Sequence, residues 1–218
     1  MNTNGNYVIT ISRELGSGGR TVGRLLAEKL GVRYSDKELI HALMDKFNLT
    51  GSGIERLKGS RKSWITDVIN LVAPVPKVDM FIDTDSRYRQ EFRADLTPDD
   101  IYKAETEILR EIAAQGPCVI AGRSGFFVLR DCPDKVDVFI TASRGHRIAR
   151  VMQRQQLSRQ EAEEALDNVD RTRDNFVRRY TGKSRYDARN YDLVINMDGL
   201  TEEDAVGIIL AYINGHGE

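Results

Sequence analysis

The chain has 218 residues, 40% of them hydrophobic and 30% charged, enough for one globular domain with a substantial core and too apolar for a disordered chain. Lys and Arg number 32 against 33 Asp and Glu, a net charge of −1, which gives no support for a broad nucleic-acid-binding face. Cys118 and Cys132 lack metal-site spacing, as do His41, His146 and His216, and no apolar run nears the ~20 residues that span a bilayer. The opening MNTNGNYVITISRE has no secretory signature, so a cytoplasmic protein without a membrane or nucleic-acid partner is expected.

In chain order, Tyr7 to Ile11 (YVITI) reads as a strand and runs into a glycine-rich turn. Thr21 to Leu30 spaces Val22, Leu25, Leu26 and Leu30 as a helix that stops at Gly31. Val32 to Ser35 is a short second strand, and Leu39 to Phe47 is helical. Residues 48–96, with Gly51, Gly53, Pro74, Pro76 and an apolar stretch from Trp64 to Val72, read as a helical insert with a mobile loop. Thr97-Pro98-Asp99-Asp100 starts a helix reaching about Ala114, through a capping threonine, a first-turn proline and carboxylates at the positive helix end. Strands follow at Cys118–Ala121, Val136–Thr141 and Asp192–Asn196. One long charged helical region is expected from about Gly145 to Arg179, and a last helix, capped by Thr201 to Asp204, ends near Gly215. Short apolar strands alternating with helices imply an α/β fold, a parallel sheet covered by helices on both faces, with ligands at the carboxyl ends of the strands.

The first turn carries the chemistry. Glu14-Leu15-Gly16-Ser17-Gly18-Gly19-Arg20-Thr21 follows a strand and precedes a helix, the context of a phosphate-binding loop, whose usual form is G-x-x-x-x-G-K-[ST]. Here Glu14 replaces the first glycine and Arg20 the lysine. Gly16, Ser17, Gly18 and Gly19 would aim backbone N–H groups at phosphate oxygens, and the helix N-terminus adds its positive end. Arg20 would reach the β and γ phosphates of ATP, clamping them in fork geometry where lysine acts as a point charge. Thr21 would ligate Mg²⁺. Asp36, at the end of the second strand, either holds that ion through water or caps the next helix. Arg123 follows a buried strand in a glycine turn and needs an anionic partner, a substrate phosphate or a structural carboxylate.

Several stretches in order resemble bacterial cytidylate kinases, and more closely the cytidylate kinase-like family. They are Glu14 to Gly31 preceded by Ile11-Ser12-Arg13, then Tyr34-Ser35-Asp36, Val119-Ile120-Ala121-Gly122-Arg123, Phe139-Ile140-Thr141-Ala142-Ser143 with Arg147 and Arg150 behind it, and Tyr191 to Asn196. The resemblance implies a single P-loop nucleoside monophosphate kinase domain over 1–218, with an acceptor-binding insert at 48–96 and an arginine-bearing lid at 168–186. It implies ATP and Mg²⁺ as cofactors and phosphoryl transfer to a small acceptor, most simply a nucleoside monophosphate such as CMP. By position it assigns Arg173 and Arg179, with Arg178 close behind, to the transferring phosphoryl, and Arg150 to the adenine face, although a surface helix arginine reads equally well at 150. Helical phase groups Arg171, Asn175 and Arg178 on one face, with Arg173 off it.

The chain departs from true cytidylate kinases at three points. It has Gly19-Arg20-Thr21 for G-K-[ST], Ala121-Gly122-Arg123 for D-G-R, and Asp36-Lys37-Glu38-Leu39 for D-T-G-A-x-Y-R. Arg87, Arg89 and Arg93 in the insert are then available to hold a different acceptor. The alternative reading is a regulatory nucleotide-binding module without kinase turnover.

Overall fold

The computed structural model describes residues 5–36 and 98–215. The expected 39–47 helix, the 48–96 insert with its arginines, Thr97, His41 and His216 lie outside these residues. The chain forms two compact units, Met1–Asp36 with Leu109–Glu218, and Lys37–Ile108. Every residue of the site described below belongs to the first.

The described residues form a five-stranded sheet, all parallel: β1 (Val8–Arg13), β2 (Arg33–Ser35), β3 (Cys118–Ala121), β4 (Lys135–Thr141) and β5 (Leu193–Asn196), in the spatial order β2-β3-β1-β4-β5. β1 is central, paired to β3 from Val8↔Cys118 and to β4 from Val8↔Lys135. The connection from β1 runs toward the β2 edge and that from its neighbour β4 toward the β5 edge, so the crevice past Arg13 is the switch point where open parallel sheets bind ligands. The helices are α1 (Gly19–Leu30), α2 (Pro98–Ala114), the short α3 (Gly125–Val128), α4 (Arg144–Gln155), α5 (Arg159–Thr181) and α6 (Glu202–Gly215).

The two-residue period of β1 sorts its side chains. Tyr7, Ile9 and Ile11 enter the main core with Val22 and Leu26 of α1, Val138 and Ile140 of β4, Ile195 of β5, and Ile209 and Ile213 of α6. Thr10, on the other face, donates to the Asp137 carboxylate at 2.5 Å, and Lys135 pairs with the same carboxylate. Burial raises the Asp137 pKa against those two hydrogen bonds. The last carbonyls of α2 are taken by Arg33 (on Ile112, 2.6 Å) and Asn6 (on Ala113, 2.9 Å), so the helix end left open by geometry is closed by side chains from β2 and the β1 approach.

The single helix expected over 145–179 is two. Gln156 adopts a left-handed φ of 53° and ends α4. Ser158 then accepts from the Glu161 N–H at 3.3 Å while Glu161 accepts from the Ser158 N–H at 2.8 Å, a capping box that starts α5 afresh. A second core forms between the two helices from Ile148, Val151, Ala162 and Leu166, with Leu15 of the glycine-rich loop inserted among them. Replacing Ser158 by alanine is expected to lower the melting temperature by about 2–4 °C, for a cap worth about 1 kcal/mol. A thermal scan checks it.

Candidate active site

The loop from Glu14 to Thr21 begins where β1 leaves the sheet. The Glu14 N–H still bonds the Ile140 carbonyl at 3.1 Å, and the loop closes on itself through the Ser17 hydroxyl, which donates to the Glu14 carbonyl at 2.9 Å. The N–H groups of Thr21 and Val22 bond the Gly18 carbonyl at 2.8 and 3.1 Å. Those of Gly19 and Arg20 precede the first i→i−4 bond of α1, the condition under which a helix N-terminus binds an anion. Gly16 has φ +79°, and a β-carbon there would lie 2.5 Å from the Arg147 carbonyl oxygen, so only glycine lets α4 lie against the loop.

Glu14 explains its own presence in place of the usual glycine. Its carboxylate accepts from the Thr141 hydroxyl and pairs with Arg147 at 3.5 Å, away from any role as a turn residue. Arg147 also bonds Asp170 at 2.6 Å. Asp170, buried on α5, is the hub. It accepts from the Leu15 N–H at 3.0 Å and lies 3.7 Å from both Arg173 and Arg185. Arg173 and Arg185 both donate to the Arg13 carbonyl, Arg173 at 3.4 Å. The Arg13 guanidinium in turn reaches Asp36 at 3.3 Å and fills the space beside Gly122, whose φ of +81° begins a run of left-handed residues with Arg123 (63°) and Ser124 (54°). Left-handed non-glycine residues cost about 1–2 kcal/mol each and persist where the surroundings over-determine them, commonly at functional sites.

Five guanidiniums (Arg13, Arg20, Arg147, Arg173, Arg185) thus gather around three carboxylates (Glu14, Asp36, Asp170), with Arg123 near enough for its charge to act on Arg173. Arg173 feels the imbalance most. Burial, reinforced by Arg13 and Arg185 and more weakly by Arg123, presses its pKa down to about 9 against the pull of Asp170. A cation so placed is held in an unfavourable field that a bound anion relieves.

The structure brings some of the expected site residues together and leaves others apart. Gly16 to Thr21 and Arg173 converge with Arg13 at the end of β1. Arg20 and Asp36 meet each other: the Arg20 Nε lies 2.5 Å from Asp36, so Asp36 is committed to two guanidiniums, and Tyr34 bonds the Arg20 carbonyl at 3.2 Å. Burial, with Asp36 adding to it, pushes the Tyr34 hydroxyl up to about 12. Arg150 pairs with Glu202 at the start of α6, next to the Gly18 tip of the loop, and Arg154 donates to the Thr21 hydroxyl at 3.4 Å. The structure does not bring Arg178 and Arg179 into the cluster. Arg178 is exposed on Asp174 at 2.6 Å, and Arg179 is exposed beside the Tyr180 ring at 5.4 Å. The helical-face grouping of Arg171 with Arg178 therefore marks the solvated side of α5, with Arg171 bonded to Asn168, and the arginine set apart from it faces the loop. Sequence reasoning missed Arg13, Asp170 and Arg185 as site members. Among the described residues no three His, Cys, Asp or Glu side chains cluster to hold a metal.

A protein-family model described as the cytidylate kinase-like family matches residues 8–199. The chain belongs to the cytidylate kinase-like family. A curated cytidylate kinase from Sulfurisphaera tokodaii is 24% identical over 208 residues, 95% of each chain. Among solved structures, an uncharacterized protein from Eubacterium ventriosum aligns with a TM-score of 0.67 at 22% identity, covering 95% of this chain and 98% of that one. A shikimate kinase from Bacteroides thetaiotaomicron (TM-score 0.53, 14% identity, 95% and 98% covered) and a gluconokinase from Sinorhizobium meliloti (0.52, 15%, 96% and 92%) share the fold. The cytidylate kinase-like family member described here is therefore built on the α/β architecture of small-molecule kinases, its parallel sheet flanked by helices. No helix among the described residues is long and apolar enough to cross a membrane.

Proposed function

We propose that this family member transfers the γ-phosphoryl group of ATP to a small acceptor, a nucleoside monophosphate such as CMP being the leading candidate. The observation that carries this reading is the half-buried Arg173, which joins Arg185 on the Arg13 carbonyl directly behind a glycine-rich loop at the sheet's switch point. Phosphoryl transfer asks little covalent chemistry of a protein; it asks for alignment and for positive charge where the three equatorial oxygens lie. An acceptor oxygen attacks the γ-phosphorus, the bond to the β-bridging oxygen breaks, and ADP leaves. In this reading the loop N–H groups cradle the β-phosphate, Arg173 and Arg185 face the transferring group, and Arg150 lies where the base of ATP would sit.

Thr21, in the first turn of α1, supplies a hydroxyl suited to Mg²⁺, an ion that keeps most of its shell as water and phosphate oxygens. Bound there, the ion would neutralise charge between the β and γ phosphates. Asp36, held by Arg20 and Arg13, does not fit as its second ligand.

One observation favours the second reading, a nucleotide-binding regulatory module without turnover: Arg20 is drawn to Asp36 instead of being extended along the loop. Thermal scans separate the readings. Mg-ATP at a hundred times its Kd stabilises by about 2.7 kcal/mol, roughly 5–11 °C for a chain of this size. The kinase reading expects that shift, a further shift with one monophosphate, and loss of most of the ATP shift in Arg20→Ala. A shift by ATP alone supports the regulatory module, and none at saturating ATP removes both.

A further inference from the structure

We propose that Tyr186 is the stacking platform for the acceptor's nucleobase, and so the residue that makes this site prefer a nucleotide over an aliphatic or sugar acceptor. The inference rests on the nucleoside monophosphate reading above. Three large hydrophobic side chains are exposed among the described residues: Val194 at 47%, Tyr186 at 45% and Ile208 at 40%. Only Tyr186 is aromatic, and it is the chain neighbour of Arg185, which is itself 4% exposed and reaches into the arginine cluster.

The segment carrying the two is fixed in place. Asp174 on α5 accepts from the Arg185 N–H at 3.2 Å and from the Ser184 hydroxyl at 3.4 Å, and that hydroxyl accepts from the Tyr186 N–H at 3.2 Å. Asn190 donates to the Ser184 carbonyl at 2.8 Å, and the Tyr191 hydroxyl to the Arg185 carbonyl at 2.8 Å. The backbone therefore sends Arg185 inward and Tyr186 outward by construction. The Tyr186 ring is set edge-on against Phe139 at 6.1 Å and 88°, and Phe139 stacks on Tyr191 at 5.1 Å. The Arg185 guanidinium lies 5.4 Å from the Tyr186 ring centroid. A guanidinium of the arginine cluster and an exposed aromatic ring are thus held side by side, within the span of one mononucleotide.

Every nucleobase has a π-face, and stacking on an aromatic side chain is worth roughly tenfold to hundredfold in affinity. A ring already held by its neighbours gives up little conformational freedom to do this. Cyclic or open-chain polyols and acids offer no such face. A shared kinase fold does not decide among these acceptors, because specificity resides in the site and not in the scaffold.

The test is calorimetric titration of the full-length protein, wild type, Tyr186→Ala and Tyr186→Phe, with CMP, UMP, AMP, GMP, Mg-ATP and ribose 5-phosphate. Ribose 5-phosphate keeps the sugar and phosphate and lacks the base. The expected result is a wild type that prefers at least one monophosphate to ribose 5-phosphate by tenfold or more. Tyr186→Ala erases that preference, Tyr186→Phe keeps it, and all three bind Mg-ATP alike. A Tyr186→Ala protein that retains the preference overturns the platform while leaving the proposed function standing. Equal loss of Mg-ATP and monophosphate binding in Tyr186→Ala overturns it too, since the tyrosine would then be structural. A wild type that binds no monophosphate removes the proposed acceptor class and the platform with it.

Discussion

Replacing Arg173 by methionine is expected to cost at least about a thousandfold in turnover, the effect of removing an arginine that faces a transferring phosphoryl, while the unliganded melting temperature holds or rises. The two halves of this prediction come from one geometry. Arg173 is largely withdrawn from solvent, with Arg13, Arg185 and Arg123 acting against its charge and Asp170 acting for it. In the unliganded protein its cationic form is therefore held at a cost, and an unbranched apolar side chain that fills the same space relieves it. The hydrogen bond lost at the Arg13 carbonyl is backed by the one from Arg185. With substrate bound the balance reverses, because the same charge now meets phosphate oxygens. Steady-state kinetics and thermal scans on the same preparation check both halves. A variant that turns over normally, or one that melts far below the wild type, contradicts the role given to Arg173.

Asp170→Ala should show the opposite pattern, with the largest loss of stability of any single substitution in the site. One carboxylate offsets three guanidiniums and receives the Leu15 N–H. Removing one partner of a buried ion pair typically costs about 3–5 kcal/mol, and here the others are left facing one another. For a chain of this size that corresponds to a fall of roughly 10 °C. Asp170→Asn keeps an acceptor for Leu15 and should recover part of the loss. Inorganic phosphate should raise the melting temperature of Asp170→Ala more than that of the wild type, because an anion replaces the missing charge. Scans with and without phosphate test this. A variant as stable as the wild type would show that the cluster does not depend on Asp170.

Much of the scaffold is visible in the residues themselves. Val8 to Ile11, Cys118 to Ala121 and Val136 to Ile140 are short, apolar and β-branched because each is buried in a parallel sheet, and their order with the intervening helices gives the fold. The break at Gln156 was signalled by Ser158 and Glu161 at capping-box spacing, but the charge-rich sequence on either side reads as one helix. The site is less legible, because its decisive contacts are long-range. Arg13 meets Arg173 and Arg185 across 160 and 172 residues, and Leu15 meets Asp170 across 155. Nothing local to Asp170 on α5, or to Arg185 just past its end, separates them from the many other charges of this stretch. Helical phase grouped Arg171 with Arg178 correctly, but phase alone does not say which side of α5 faces the loop. Leu15 decides that, by packing against Leu166 and Ala162. Glu14 is similar: as a motif position it is a departure, and only its contacts with Thr141 and Arg147 reveal a brace.

The central claim is that the arginine cluster and the glycine-rich loop together move a phosphoryl group between two small molecules. The most direct measurement is ADP release from Mg-ATP by the full-length protein, in the presence of each nucleoside monophosphate in turn. The account predicts acceptor-dependent release with at least one of them, abolished in Arg173→Met. Tight binding of Mg-ATP with no acceptor raising ADP release above the background would contradict it.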